Sequence, residues 1–307
     1  MKFLRYAFTL FIALTSACGG SPPPGDAPPR AVSPGCDKPA AELTGGVQVV
    51  LDMGVQAGGE RSFFLTLPEG YDPHEPHKLI IAYPGTNWLG EQVRGYFDFE
   101  RLAQANEIFV YPDPLWRDFG AWGVLGGWLL GPHASNAAGD EDLIFAEALI
   151  DRLSDDYCID PQRIFATGHS WGGDMAMVAA CFIGDRLRAA APAAANRPYW
   201  FETSDGGWID CRGETDMWVF FGRDDRHFSW QAYPGEFGDE GKDFWLRTRS
   251  CGPPGTPVDL PMSLPAGECV EFESCSAGVR YCLYSEEIGH QIPEYFSAEV
   301  LTYFRQF

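Results

Sequence analysis

Basic residues are scarce in this 307-residue chain. It has 22 Lys and Arg against 43 Asp and Glu, so its formal net charge is −21. A surface this acidic repels phosphate groups, and we therefore expect no nucleic-acid partner. No internal repeat is present, and beyond the N-terminal segment no apolar run reaches the ~18 residues typical of a membrane-spanning helix. The 45% of hydrophobic residues is nonetheless typical of a globular protein with a sizeable core.

The nine cysteines form no C-x-x-C pair, which argues against a zinc site, and we expect no metal and no cofactor. If Cys18 carries a lipid, eight cysteines remain. An even number of cysteines in an exported protein indicates disulfides. A hairpin predicted around residues 275–277 places Cys269 opposite Cys282. A second bridge, between Cys251 and Cys275, then closes the preceding loop.

The N-terminus is typical of a targeting segment. Residues 1–17 predict a signal peptide, with Lys2 and Arg5 ahead of an apolar stretch that is too short to span a membrane. Small residues precede Cys18, as at a bacterial lipoprotein cleavage site. We therefore expect an exported lipoprotein whose only membrane contact is a lipid on Cys18. Ordinary signal-peptide cleavage near Ala17 is the alternative.

Two regions follow the signal peptide. Residues 18–35 are rich in Pro and Gly and predict a flexible tether. In residues 36–307 short apolar runs alternate with helical patterns, which predicts one α/β domain with a mostly parallel central sheet and helices on both faces. The predicted strands are 47–53, 61–67, 78–83, 107–111, 163–168 and 217–222. The predicted helices are 97–106, 140–156 with Asp140 as N-cap, 174–181 and 293–307.

The motif Gly168-His169-Ser170-Trp171-Gly172 lies between an apolar strand and a helical segment. Strand, sharp turn and helix are the context of G-x-S-x-G in a nucleophile elbow, where the turn strains the serine backbone and exposes its hydroxyl. The backbones crowd together there, so the positions two before and two after the serine must be small. We therefore predict that Ser170 is a nucleophile. A glycine-rich turn with a chance serine is the alternative.

A serine nucleophile needs a histidine base, and the base needs an acid to orient it. In this arrangement the three follow in the order Ser, acid, His. His290 lies between the last strand and the last helix and is preferred to His227, the only other histidine after Ser170. Asp225, shortly after an apolar strand, is the predicted acid, with Asp224 as the alternative. The remaining histidines are expected to point away from the pocket (His169) or to be solvated (His74, His77 and His133).

When the serine attacks an ester, the carbonyl oxygen becomes negatively charged, and two backbone N–H groups are needed to stabilise it. Trp171, directly after the serine, is one predicted donor, and Thr86 is the other, because Pro84 at the same strand end has no N–H. The ring of Trp171 is then free to line the acyl pocket. Further candidate contacts for sugar rings or phenolic acyl groups are the tryptophans in predicted loops, of which Trp128 and Trp230 are preferred; the others are Trp116, Trp122 and Trp200. Packing of these rings onto the sheet is the alternative.

These motifs resemble those of carbohydrate esterase family 1 and the related polyhydroxybutyrate depolymerases. Residues 67–72, 160–173, 222–225 and 289–293 carry the resemblance, which extends from about residue 36 to the C-terminus. It implies the α/β-hydrolase fold and a triad of Ser170, Asp225 and His290. Two positions depart from the pattern: relatives usually carry His where this chain has Pro84, and often a small residue where it has Trp171.

The resemblance implies a serine carboxylesterase that acts without a cofactor on a polymeric or oligomeric ester. Feruloyl or acetyl esters on plant polysaccharide are the expected substrates, with a polyhydroxyalkanoate as the alternative. A peptidase of the same fold and a surface binding protein without activity are hypotheses from other classes. No oligomeric state is predicted.

Overall fold

The computed structural model describes residues 32–39, 46–252, 255–257, 267–272, 274–284 and 288–307. The predicted signal peptide, Cys18 and most of the predicted tether lie outside these residues. The predicted end of the tether is wrong, because Ser33 is buried and its hydroxyl donates to the carbonyl oxygen of Tyr157 at 2.6 Å. The folded domain therefore starts before Cys36. Among the described residues, no helix has the length and apolar character needed to cross a membrane.

Among the residues described, a ten-stranded sheet forms the centre of the fold. Its strands are β1 (Val47–Asp52), β2 (Glu60–Thr66), β3 (His77–Tyr83), β4 (Glu107–Pro112), β7 (Ile159–His169), β8 (Ala189–Ala193), β9 (Asp216–Gly222), β10 (Thr256–Pro257), β11 (Gly267–Phe272) and β12 (Val279–Tyr284), whereas β5 (Leu115–Asp118) and β6 (Val124–Gly127) form a separate hairpin. The order is β1-β2-β4-β3-β7-β8-β9-β12-β11-β10. From β4 to β12 neighbouring strands are parallel, and antiparallel strands extend both edges. This architecture confirms the predicted α/β fold.

Helices cover both faces of the sheet. They are α1 (Gly90–Phe97), α2 (Glu141–Asp156), α3 (Trp171–Phe182), α4 (Glu236–Thr248) and α5 (Phe296–Phe304). One core cluster contains Leu149, Met175 and Phe244, from α2, α3 and α4, and the other contains Phe97 and Val300, from α1 and α5. Because helices cover both faces, a central strand such as β3 is buried at every residue.

One predicted helix lies at a different place in the sequence. We expected a helix over residues 97–106, whereas α1 ends at Phe97. Asp98 adopts a left-handed conformation with φ 49°, which interrupts the helical path, and only a short 3-10 helix, Phe99–Leu102, follows. The prediction is therefore wrong over most of its length, because the sequence pattern merged the end of α1 with the turn that follows it.

Two predictions about polar residues also change. Asp140 stands at the N-cap of α2 as expected, but its side chain makes no capping hydrogen bond. Nearby Asp142 is fully buried and pairs with Arg61 at 2.8 Å. His77, expected to be solvated, is buried at the start of β3 with its Nδ1 3.2 Å from the carbonyl oxygen of Cys158. These environments depend on partners that are far away along the chain.

Disulfides cross-link the described chain at four places. The two bridges that the sequence predicts are both present, Cys251–Cys275 and Cys269–Cys282. The second joins directly opposed residues of β11 and β12, as the hairpin requires. Two bridges were not predicted, Cys36–Cys158 and Cys181–Cys211. The two predicted bridges thus lie within or next to the predicted hairpin, whereas the two missed bridges lie elsewhere in the chain.

Candidate active site

Ser170 stands at the junction of β7 and α3, with backbone angles of φ 58° and ψ −126°. A non-glycine residue at this φ is strained, as a nucleophile elbow requires. A side chain at Gly168 would overlap the carbonyl oxygen of Gly172, and one at Gly172 would overlap that of Tyr83. Both small positions are therefore sterically required, and the turn has the geometry of an elbow.

Three side chains from three loops meet at this elbow. His290 Nε2 lies 2.8 Å from Ser170 Oγ, and His290 Nδ1 lies 2.7 Å from Asp225 Oδ2. Ser170 follows β7, Asp225 follows β9, and His290 precedes α5. When Nδ1–H donates to the carboxylate, Nε2 is free to accept the serine proton. The structure thus brings the predicted trio into one hydrogen-bonded chain.

The carboxylate of this trio is held on both sides. The turn after β9 is closed by the N–H of Asp225, which donates to the carbonyl oxygen of Gly222 at 3.1 Å. Asp225 Oδ1 accepts the N–H of His227 at 2.9 Å, while Oδ2 faces His290. The residue is 2% exposed. Because both oxygens are bound and shielded from water, Asp225 keeps a fixed orientation beside the histidine.

Two further histidines contact His290. The ring of His227 stacks on it at 4.3 Å, with the planes 16° apart, and lines the cleft. Burial, followed by the charge of His290, lowers the pKa of His227. His169 Nε2 donates to the carbonyl oxygen of His290 at 2.5 Å, and burial lowers the pKa of His169 to about 4. Burial therefore favours the neutral form of both flanking rings.

Residues 288–293, named here the base loop, carry the histidine of the trio. Tyr96 Oη accepts the N–H of Ile292 at 2.8 Å. Tyr284 Oη donates to the carbonyl oxygen of Gln291 at 2.9 Å. The base loop is therefore fastened by Tyr96 of α1, 196 positions before Ile292, and by Tyr284 at the end of the preceding strand β12, 7 positions before Gln291.

A cleft of about 150 Å³ opens beside Ser170. Its other lining residues are Thr86, Trp122, Leu125, Leu130, Trp171, Asp174, Asn196, Tyr199, His227 and Phe228. The loop before Thr86 approaches the elbow so closely that a side chain at Gly85 would lie 3.2 Å from Ser170 Cβ. Trp171 opens α3, where an N–H has no acceptor within the helix. Both residues predicted to hold the oxyanion therefore lie beside the serine.

The prediction that Trp128 contacts substrate is wrong. Its side chain is fully buried, and its Nε1–H donates to the carbonyl oxygen of Pro84 at 2.9 Å. A buried indole whose only donor is already bound has no surface left for a ligand. Trp128 instead supports the loop that carries Thr86.

Two exposed tryptophans lie near the cleft. Trp230, also predicted to contact substrate, is 62% exposed but is not part of the cleft lining. Its ring packs on Phe228, which does line the cleft, with 5.5 Å between centroids. Trp122 lines the cleft directly, and its ring meets that of Trp171 edge-on at 5.7 Å. The aromatic wall therefore contains Trp171, whose ring was predicted to line the pocket, together with Trp122 and Phe228, and not Trp128 or Trp230.

The polar end of the cleft was missed in the sequence. Asp174 is 6% exposed on α3, and Asn196 and Tyr199 follow β8. Burial raises the pKa of Asp174 well above its ordinary value, and it raises that of Tyr199. The available signal was a single charged residue on an otherwise apolar helix, four positions after Ser170 and hence on the same helix face.

Comparisons with known proteins agree with this geometry, although no family model matches the chain. Feruloyl esterase C from Emericella nidulans is 29% identical over 263 residues, which cover 82% of each protein. Probable feruloyl esterase C from Aspergillus niger is 27% identical with the same coverage. Feruloyl esterase B from Piromyces equi is 30% identical over 72% of this chain and 40% of that protein.

Solved structures show the same fold. An acetyl xylan esterase from Aspergillus awamori superposes with a TM-score of 0.61 at 15% identity, covering 85% of this chain and 99% of that one. An S-formylglutathione hydrolase from Agrobacterium tumefaciens gives 0.56 at 14% identity, covering 87% and 98%. This protein therefore has the α/β-hydrolase fold of known esterases, and over 82% of its length its sequence is similar to that of a feruloyl esterase.

Proposed function

We propose that this protein is a carboxylic ester hydrolase that uses Ser170 as its nucleophile. The observation that carries the proposal is the hydrogen-bonded chain of Ser170, His290 and Asp225, at 2.8 and 2.7 Å, at the edge of an open cleft. A strained serine with a base and an oriented acid is the arrangement that activates a hydroxyl for acyl transfer.

The reaction follows from the positions of these groups. Ser170 Oγ attacks the ester carbonyl carbon while its proton moves to His290 Nε2, and Asp225 stabilises the imidazolium that results. The N–H groups of Trp171 and Thr86 receive the negative charge on the carbonyl oxygen, each contributing about 3 kcal/mol of transition-state stabilisation. The alcohol leaves with the proton held by His290. Water then gives a proton to His290 and bonds to the acyl carbon, and the Ser170 Oγ–carbon bond breaks as His290 returns that proton to Oγ and the acid leaves.

The proposed substrates are feruloyl or acetyl esters on plant polysaccharide. The similarity to proteins named feruloyl esterase supports the feruloyl group, and the acetyl xylan esterase shares the fold. Aromatic rings at the cleft, among them Trp122 and Phe228, are suited to a phenolic acyl group or a sugar ring.

Export is part of the proposal. Four disulfides are typical of proteins that fold in an oxidising compartment. A lipid on Cys18 would then hold the enzyme at the cell envelope. Mass spectrometry of the N-terminal peptide of the mature protein tests the lipid anchor. An acylated Cys18 supports the anchor, and an unmodified Cys18 contradicts it.

The catalytic proposal is tested with a fluorophosphonate probe and a substrate panel. We expect labelling at Ser170 and hydrolysis of methyl ferulate, acetylated xylan or both, with little turnover of hydroxybutyrate oligomers. Ser170→Ala is expected to lose labelling and to lower kcat by a factor on the order of 10⁶. Near-full activity in that variant, together with normal folding by circular dichroism, would remove Ser170 from the mechanism.

A further inference from the structure

The chain after β3, which carries Thr86, folds into a tight turn. The N–H of Trp88 donates to the carbonyl oxygen of Gly85 at 3.1 Å, so Thr86 and Asn87 occupy the two central positions of a β-turn. Asn87 has a φ of 62°, whereas Thr86 is not among the residues with positive φ, which is the pattern of a type II turn. Glycine and asparagine are the residues that this position favours, so the turn by itself accounts for the residue type.

The side chain of Asn87 makes a contact that the turn does not require. Its Oδ1 accepts the N–H of Gly126 at 3.0 Å, and its own N–H donates to the carbonyl oxygen of Gly126 at 2.8 Å. These two bonds close a ring between the turn and β6. The indole of Trp116 lies against Gly126, since a side chain added there would meet it at 3.3 Å. A glycine at position 87 would keep the backbone bond and lose the side-chain bond.

Thr86 is held from both sides by one segment of the chain. Trp128 Nε1–H donates to the carbonyl oxygen of Pro84 at 2.9 Å, ahead of Thr86, and Gly126 binds Asn87, the residue after it. Gly126 belongs to β6, and Trp128 directly follows that strand. Within the described chain, no group accepts the N–H of Thr86. The segment therefore holds in place a donor that is free to bind an ester oxygen.

We infer that Asn87 is a positioning residue for the oxyanion hole, because the bond between its Oδ1 and the Gly126 N–H fixes the direction of the Thr86 N–H. The inference rests on the proposed function and deepens it, since Asn87 is not part of the cleft lining. The ester oxygen gains its negative charge only in the transition state. A donor that has lost its direction therefore lowers kcat and leaves KM nearly unchanged.

The experiment compares Asn87→Gly with Asn87→Asp in the hydrolysis of methyl ferulate. Glycine keeps the left-handed turn and removes the acceptor, so we expect kcat to fall about 10- to 30-fold, with KM within about twofold of the wild-type value. Aspartate keeps an acceptor at the same position. It should lose no more than about threefold in kcat when about 0.5 M NaCl screens its charge. Asn87→Ala, which also lacks the acceptor, should lose at least as much kcat as the glycine variant.

An inhibitor that copies the oxyanion distinguishes positioning from a loss of folded enzyme. The carbonyl carbon of an aryl trifluoromethyl ketone bonds to Ser170 Oγ, the serine proton passes to His290, and a negative oxygen forms where the ester oxyanion would. The inhibition constant should rise in Asn87→Gly by about the factor by which kcat falls. A smaller fraction of folded enzyme lowers the apparent kcat and leaves the inhibition constant unchanged.

Ser250→Gly is the matched control, because Ser250 is an exposed polar residue with a φ of 52° just after α4. It should keep the wild-type kcat, KM and inhibition constant. An Asn87→Gly enzyme with wild-type kcat and inhibition constant, or an Asn87→Asp enzyme as impaired as Asn87→Gly, would overturn the positioning role while leaving the esterase proposal intact. A wild-type enzyme that neither hydrolyses an ester of the panel nor reacts with the fluorophosphonate probe overturns both proposals.

Discussion

The nucleophile and the base of this site are positioned in different ways. Ser170 lies directly between β7 and α3, and the missing side chains of Gly168 and Gly172 give its strained turn the room that it needs. The base loop has no regular secondary structure and is fastened by Tyr96, which is remote in sequence, and by Tyr284 at the end of the preceding strand β12. The elbow therefore depends on small residues within itself, whereas the base loop depends on side chains elsewhere. His169 joins the two, since it belongs to the elbow and donates to the base loop.

Asp225→Asn is expected to have the largest effect, and it changes only the support of the base. The Asn amide can donate to His290 Nδ1, which favours the wrong tautomer of the histidine. We therefore expect kcat to fall by a factor of about 10⁴. Hydrolysis of methyl ferulate measures this loss. The midpoint of thermal unfolding should stay close to the wild-type value, because the elbow and the core are unchanged. Asp224→Asn is the control, with an expected change of less than about twofold. A similar loss in both variants would contradict the choice of Asp225.

The corresponding break on the elbow side is Gly172→Ala. Its methyl group would overlap the carbonyl oxygen of Tyr83, so we expect the free energy of unfolding to fall by about 3 kcal/mol and activity to fall with it. Chemical denaturation measures the change. Gly95→Ala, in an open position on α1, should instead stabilise the protein by about 0.5–1 kcal/mol. Equal tolerance at the two glycines would show that the elbow is less crowded than the structure indicates.

The link between the two regions is tested by His169→Phe. Burial, followed by the charge of His290, lowers the pKa of His169 from 6.5 to about 4, so its stabilising contribution is present above pH 6.5 and is lost as the pH falls toward 4. The contribution amounts to about 3 kcal/mol over this window. The wild-type free energy of unfolding should therefore fall with pH there, and the variant should show a flatter profile.

The same variant removes the hydrogen bond to His290, so its kcat is expected to be about tenfold lower at pH 7. His133→Phe, at an exposed loop position, is the control for a histidine replacement. Parallel pH profiles for wild type and His169→Phe would mean that another group titrates in this window.

The smallest expected effect is that of Tyr96→Phe. It removes the acceptor of the Ile292 N–H and the donor to Gln291, so the base loop loses part of its support. We expect about 1 kcal/mol of destabilisation and a fewfold lower kcat with little change in KM. Tyr233→Phe, an exposed tyrosine elsewhere, is the matched control. A Tyr96→Phe enzyme indistinguishable from Tyr233→Phe would show that the base loop is held without this contact.

The two regions also differ in how far they could be predicted. The elbow motif is contiguous, so its strand, turn and helix were all visible in the sequence. His290 was placed by its position between the last strand and the last helix, whereas its contacts with His169 and His227 and the support of its loop by Tyr96 were not predicted. The tryptophans show the same division: exposure decides whether a ring meets a ligand, and no local pattern distinguishes buried Trp128 from cleft-lining Trp122.

Local order in the chain was sufficient for the α/β fold, the serine turn and the bridge between Cys269 and Cys282, because each depends on spacing and on residues a few positions apart. The tertiary structure alone decided which rings form the cleft, that Asp174 faces it, and how the base loop is fastened. The physical reason is that burial and hydrogen-bond partners are set by other segments of the chain, which lie 22 positions apart for Asp174 and Asn196 and 121 positions apart for His169 and His290.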